Sequence, residues 1–166
     1  VLMVSAVDRF GMAQALTAAG CKMIFGDLIF ALNIPKPIYE LSMVEKLADE
    51  LLPKICKTPF HLLYPTGKEQ EKEPDPKYAE FYNQADIIAG DYHLIRKYLP
   101  PKMAGKIVLT NTVTSEDVED LRKRGVQYLI TTTPEFEGRS FGTNVMEAVL
   151  VTLIDKPWEE ITPEDY

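Results

Sequence analysis

Cysteine, histidine and tryptophan are scarce in this 166-residue chain, which has two, two and one of them. Cys21 and Cys56 lack metal-ligand spacing, and His61 and His93 are too few and too distant in sequence to suggest a zinc site. The pattern reads as two reduced, buried thiols of a cytoplasmic protein that holds no metal. Positive charge is short as well. Eighteen Lys and Arg face twenty-five Asp and Glu, and the net charge of −7 argues against nucleic acid and anionic membranes as partners. No apolar run approaches the roughly 20 residues that span a bilayer. Val1 to Val7 has no basic leader of the kind that opens a signal peptide. The sequence carries no Ser-His-Asp set, metal motif or Walker loop, and no internal repeat.

What is present is an ordinary globular composition, 46% hydrophobic and 26% charged, long enough for one domain with a sizeable core. Val1 to Val7 is a nearly unbroken apolar run, the signature of a strand buried on both faces of a parallel sheet. Asp8-Arg9-Phe10-Gly11 is a turn, Met12 to Ala19 is helical with Gly20 at its end, and Cys21 to Gly26 is a second strand closed by Asp27. Because the chain opens inside a strand, it is expected to be the later part of a longer protein whose amino-terminal domain is not included.

Beyond Asp27, Leu28 to Leu32 extends the second strand or forms a buried helical turn, and periodicity leaves both open. Leu41, Val44, Leu47, Ala48 and Leu51 predict an amphipathic helix over Ile38 to Leu52, ended by Pro53. Phe60 to Tyr64 reads as a short strand or helical turn, and Gly67 to Pro76 as a charged loop. The alternation then resumes. A helix over Lys77 to Gln84 precedes a strand over Ala85 to Gly90. A helix over Tyr92 to Tyr98 precedes a strand over Lys106 to Thr110. A helix opened by a Thr114–Asp117 capping box precedes a strand over Val126 to Thr131, and Thr143 to Ile154 is the last helix. Short strands alternating with helices predict an α/β domain, a Rossmann-like doubly wound parallel sheet with helices on both faces, over residues 1–156. Residues 157–166 form an acidic tail, expected to dock through Trp158.

In such a sheet ligands bind beyond the carboxyl ends of the strands. The candidates there are Ser5, Asp8, Arg9, Phe10 and Gly11, then Asp27, Gly90, Asp91, Thr110, Asn111, Thr131, Thr132 and Thr133. Arg9 and Gly11, at the start of the first helix, suit a pyrophosphate; alternatively Asp8 caps that helix and Gly11 relieves the turn. Asp27 stands where a ribose-binding carboxylate falls, which favours NAD over NADP, or else it is a solvent-facing turn residue. The glycine fingerprint is absent, since Ser5, Val7 and Phe10 take its places. Glu135, Arg139, Ser140, Gly142 and Thr143 form a polar loop that either holds an anion or serves as an ordinary connection, with Arg139 paired to Glu135 or Glu137. His93 is a general acid or base, or a surface residue in a helix's first turn.

Taken together, Val4 to Ala13, Phe25 to Phe30, Leu63 to Gln70, Asp86 to Asp91 and Thr131 to Asn144 resemble a bacterial family. That family, of anaerobic Firmicutes, is labelled quinate 5-dehydrogenase or Rossmann-like dehydrogenase and is distantly similar to shikimate and quinate dehydrogenases. The resemblance implies the NAD(P) domain of an oxidoreductase acting on a small hydroxylated acid, preceded by a further domain. In the shikimate and quinate enzymes a Lys–Asp pair from the amino-terminal domain handles the substrate hydroxyl. Nothing in this chain matches that pair, so no catalytic residue is carried over. Two other uses of the architecture are a sensory or regulatory module binding a nucleotide or small acid, and a methyltransferase-like domain with Asp27 on the ribose of S-adenosylmethionine. A homodimer is expected because the fold often pairs.

Overall fold

A computed structural model of the chain describes residues 1–55, 57 and 73–165. The strand or turn expected at Phe60 to Tyr64, most of the charged loop, the Leu63–Gln70 motif, Cys56 and His61 lie outside the described residues. Five parallel strands form one sheet: β1 (Leu2–Met3), β2 (Ile24–Phe25), β3 (Ile87–Ala89), β4 (Ile107–Thr110) and β5 (Tyr128–Thr131). Their order is β2-β1-β3-β4-β5. Leu2 aligns with Ile24 on one side and Ile88 on the other.

Among the described residues, six α-helices connect or flank the strands: α1 (Phe10–Ala18), α2 (Leu41–Ile55), α3 (Ala79–Gln84), α4 (Tyr92–Lys97), α5 (Ser115–Lys123) and α6 (Thr143–Ile154). Successive strand residues point to opposite faces, so the apolar strands feed two cores. Leu2, Val4, Ile88 and Val108 pack with Tyr82, Ile95 and Leu121 of α3 to α5 and with Leu99 just beyond α4. Met3, Phe25 and Ala89 pack with Ala13, Ile38 and Val44 on the side of α1 and α2. The protein is thus an α/β structure with a parallel sheet flanked by helices. No helix among the described residues is long and apolar enough to cross a membrane.

Several elements form for reasons visible in the sequence. Gly20, at φ 79°, ends α1, and the Cys21 N–H reaches back to the Leu16 carbonyl at 3.2 Å, closing the last turn. Thr114 and Asp117 exchange backbone and side-chain hydrogen bonds as a capping box at the head of α5. Other elements depart from expectation. Ile38 does not begin α2; it bridges to Phe25 along the outer edge of β2, and the helix starts at Leu41. Pro53 sits inside α2 rather than ending it, since a proline φ is itself helical and its missing N–H removes only one bond near the terminus. Residues Asp27–Ala31 form a π-helical turn. It drives Phe30 into an aromatic cluster with Tyr78, Tyr82 and Tyr98, ring centroids 5.5 to 5.8 Å away. Within the loop after β5, Glu135–Phe136 and Arg139–Ser140 pair as an antiparallel hairpin. Its two turn residues, Glu137 and Gly138, both have positive φ, as the tightest hairpins require.

Two apolar regions stay uncovered. Trp158 is 61% exposed, so the tail does not dock through it. Helix α6 buries no residue and leaves Val145, Val149 and Leu153 exposed, as are Tyr128 and Ile130 on β5.

Gly90 is a tight point of the sheet edge. Its φ is 131°, and a Cβ there would lie 2.7 Å from Val4 Cγ2. Gly90→Ala is expected to cost about 2–4 kcal/mol through backbone strain and overpacking, read as a lower urea midpoint with an unchanged slope.

Candidate functional site

The order β2-β1-β3 places a topological switch between β1 and β3, the position at which open α/β sheets generally form a ligand crevice. Arg9 follows β1 and Asp91 follows β3, and they meet there. Arg9 Nη2 donates to Asp91 Oδ2 at 3.1 Å, with both side chains largely buried. Asp91 Oδ1 accepts the His93 N–H at 2.9 Å and so caps α4, which holds the carboxylate in place for the guanidinium. From the end of β4, the Asn111 amide, in the orientation that satisfies both its partners, presents its oxygen to Arg9 Nη1 at 3.0 Å and Nη2 at 3.3 Å. Thr143, the first residue of α6, accepts from Arg9 Nη1 at a long 3.4 Å. One guanidinium therefore ties together the carboxyl ends of β1, β3 and β4 and the head of α6. Its planar fork of five donors suits this task better than an ammonium would. Arg9 Nε is buried without a partner among the described residues.

Asp27 lies on the other side of β1. Its Oδ1 accepts the backbone N–H of Ala6 at 2.8 Å and of Val7 at 2.9 Å. Those bonds explain why β1 is shorter than the apolar run Val1 to Val7. Val4 N–H still reaches the Ala89 carbonyl at 3.0 Å, but the amides two and three residues later turn to the carboxylate instead of a strand. Asp27 is 4% exposed and its Oδ2 has no hydrogen-bond partner among the described residues. It is therefore not a solvent-facing turn residue. Burial pushes its carboxyl above the ordinary range, the Val7 and Ala6 amides pull it back, and the neighbouring Asp8 adds to the rise. Asp8 is exposed, and the protein atoms crowded around its carboxyl raise it as well, with the Ser5 hydroxyl and Arg9 opposing and Asp91 reinforcing. Three carboxylates, Asp8, Asp27 and Asp91, thus share this edge with one guanidinium.

The remaining sequence candidates divide cleanly. Phe10 is half-buried in the α1-side core, and a side chain at Gly11 would meet only open space. Thr110 Oγ1 donates to the Gly90 carbonyl at 2.7 Å and Thr133 Oγ1 to the Phe141 carbonyl at 2.6 Å, so both hydroxyls are spent on the scaffold. Ser140 Oγ accepts the Val113 N–H at 3.0 Å and pins the hairpin to the β4–α5 turn. Thr132 is exposed, its N–H bonded to the Thr110 carbonyl, and Thr131 closes β5 in register with Thr110. Glu135 accepts the Gly138 N–H within the hairpin, Arg139 is exposed on it, and Gly142 caps α6. The polar loop is therefore a built hairpin that brings only Thr143 to the cluster. His93 enters through its backbone N–H.

Sequence reading missed Thr112. At φ 61° this β-branched residue is a backbone outlier, placed beside Asn111 at the end of β4. Nothing in its identity signals that conformation. Among the described residues no group of His, Cys, Asp and Glu could hold a metal ion.

The fold and site define an α/β protein with a strand-edge polar cluster at a switch point. The chain belongs to a family described as a domain of unknown function (DUF8754), whose model matches residues 1–166. No curated protein and no solved structure matched the chain.

Because the folded state binds the Asp27 proton more tightly than the unfolded chain does, stability is fully present in acid. It declines as pH rises from the usual value of 3.8 through the raised folded value. Asp27→Asn keeps an oxygen on the two amides and removes that decline. Thermal unfolding from about pH 4 to neutrality is expected to show a flatter profile for the variant, its advantage growing with pH. Asp27→Ala, which strands two amides, is expected to lose about 1–3 kcal/mol.

Proposed function

We propose that this chain is a Rossmann-like ligand-binding module that takes a nucleotide or small hydroxylated acid at the carboxyl edge of its sheet, around Arg9. The observation that carries this reading is the convergence of Asp91, Asn111 and Thr143 on the Arg9 guanidinium at the switch point. Buried, multiply anchored polar groups are costly, and they gather where a fold handles polar ligands. Strained Thr112 beside them supports the same place. Binding without turnover, as in a sensory or regulatory module, accounts for a chain that offers donors and acceptors but no nucleophile–base pair among the residues assembled there.

The oxidoreductase reading, with NAD or NADP presented to a quinate- or shikimate-like acid, draws its support from the parallel sheet and from the sequence likeness. A dinucleotide laid along the first turn in the usual way would need the Ala6 and Val7 amides for its phosphates and Asp27 for its ribose. These groups are already bonded to one another. The residues present do not fit the cofactor in that place.

Calorimetric titration of the 166-residue chain with quinate, shikimate, adenosine and NAD+ tests the reading. Saturable binding of at least one is expected, weakened about tenfold or more in Arg9→Gln, the usual scale for losing a charged hydrogen bond. A far-ultraviolet melt establishes that the variant is folded. Silence of the folded wild-type chain toward all four, or binding indifferent to Arg9, defeats the proposal.

A further inference from the structure

The first turn of a parallel α/β sheet is where successive backbone N–H groups make an anion-binding concavity. In this chain that concavity is filled from within. Asp27 Oδ1 sits 2.8 and 2.9 Å from the successive amides of Ala6 and Val7, distances typical of charge-assisted bonds. The carboxylate is held there by anchored backbone on either side. The Gly26 N–H bonds to the Met3 carbonyl at 2.8 Å, and the Phe30 N–H bonds to the Gly26 carbonyl at 2.8 Å. Phe30 packs so closely over Gly26 that an added Cβ would stand 2.4 Å from its ring. The backbone of the π-helical turn is thus anchored on both sides of Asp27, with Phe30 packed against Tyr78, Tyr82 and Tyr98. Asp8 and Asp91 lie close enough to one another and to Arg9 to interact electrostatically, and Asp8 likewise influences Asp27. A phosphate arriving here would meet occupied donors and carboxylates that repel it.

We infer that Asp27 is a resident anion that determines ligand class: it occupies the amides a phosphate would use, so the site rejects ligands that bring a phosphate or diphosphate to the first turn and accepts small molecules that bring hydroxyl groups. The unpartnered, buried Asp27 Oδ2 is an acceptor suited to such a hydroxyl. This rests on the strand edge being the ligand site, as proposed above. It reads the chain's own amides, however, and so is tested separately from the identity of the Arg9 ligand.

The test is a backbone ¹⁵N–¹H spectrum of the full chain titrated with inorganic pyrophosphate and with ADP. In the wild type, the Ala6 and Val7 amides are expected to hold the downfield positions of carboxylate-bonded groups and to stay unmoved at millimolar probe. In Asp27→Gly, which empties the concavity without adding a side chain, the same two amides are expected to shift saturably, with affinity raised about tenfold or more. Asp27→Asn, which keeps an oxygen on the amides, is expected to remain closed to both probes. Saturable movement of Ala6 and Val7 by ADP in the wild type overturns the inference, as does a folded Asp27→Gly that gains nothing. Should Asp27→Gly fail to fold, the wild-type spectrum still decides: amide positions independent of Asp27 protonation show that the carboxylate is not the occupant.

Discussion

A strand that is hydrogen-bonded along both edges and covered on both faces has no room for a polar side chain, and β1 is such a strand. Leu2 pairs with Ile24 and Ile88, and Leu2 and Met3 enter the two opposite cores. Everything polar contributed by this part of the chain is displaced to the carboxyl end, where the backbone itself must also find partners. The same rule acts at β3 and β4, whose apolar residues give way to Asp91 and Asn111. The crevice chemistry of this protein follows from how completely its central strands are buried.

Most of the displaced groups are satisfied by one another, while Arg9 Nε and Asp27 Oδ2 have no partner among the described residues. Asp27 serves two backbone amides, Asp91 serves both α4 and Arg9, and Asn111 gives the two terminal nitrogens of the guanidinium a further acceptor. Such mutual satisfaction stabilises the loops and leaves few donors waiting for a large anionic ligand. It also makes the edge stiff, since moving any one member strands a buried partner at a cost of about 1–3 kcal/mol. A ligand gains most here by adding to the network rather than by displacing it.

The parts of this arrangement legible in the sequence are those set by local rules. The β/α alternation, the capping box of Thr114 and Asp117, the glycine that ends α1 and the span of α6 all follow from periodicity and terminal chemistry. So does the expectation that polar groups gather at strand ends. What was illegible depends on contacts distant in sequence. Asp27 reads as a ribose ligand or a surface turn until the Ala6 and Val7 amides, some twenty residues earlier, are seen to need an acceptor. Thr110, Thr133 and Ser140 read as site hydroxyls until their backbone partners appear. Arg9 was a candidate for a phosphate, and its actual partner, Asp91, lies 82 positions away. The hairpin at Glu135 to Ser140 was hidden because Glu137 is an unusual residue for a left-handed turn position.

The position of β1 in the middle of the sheet also dictates an order of events. Leu2 and Met3 stand far ahead of β3 in sequence, yet their second ladder partner consists of Ile88 and Ala89. Until β3 has emerged, the segment has β2 alone for a neighbour and exposes an apolar edge and two apolar faces. Pairings of such long sequence separation are slow and leave the nascent chain prone to sticking. Assembly of the sheet therefore waits until the second half of the domain is available.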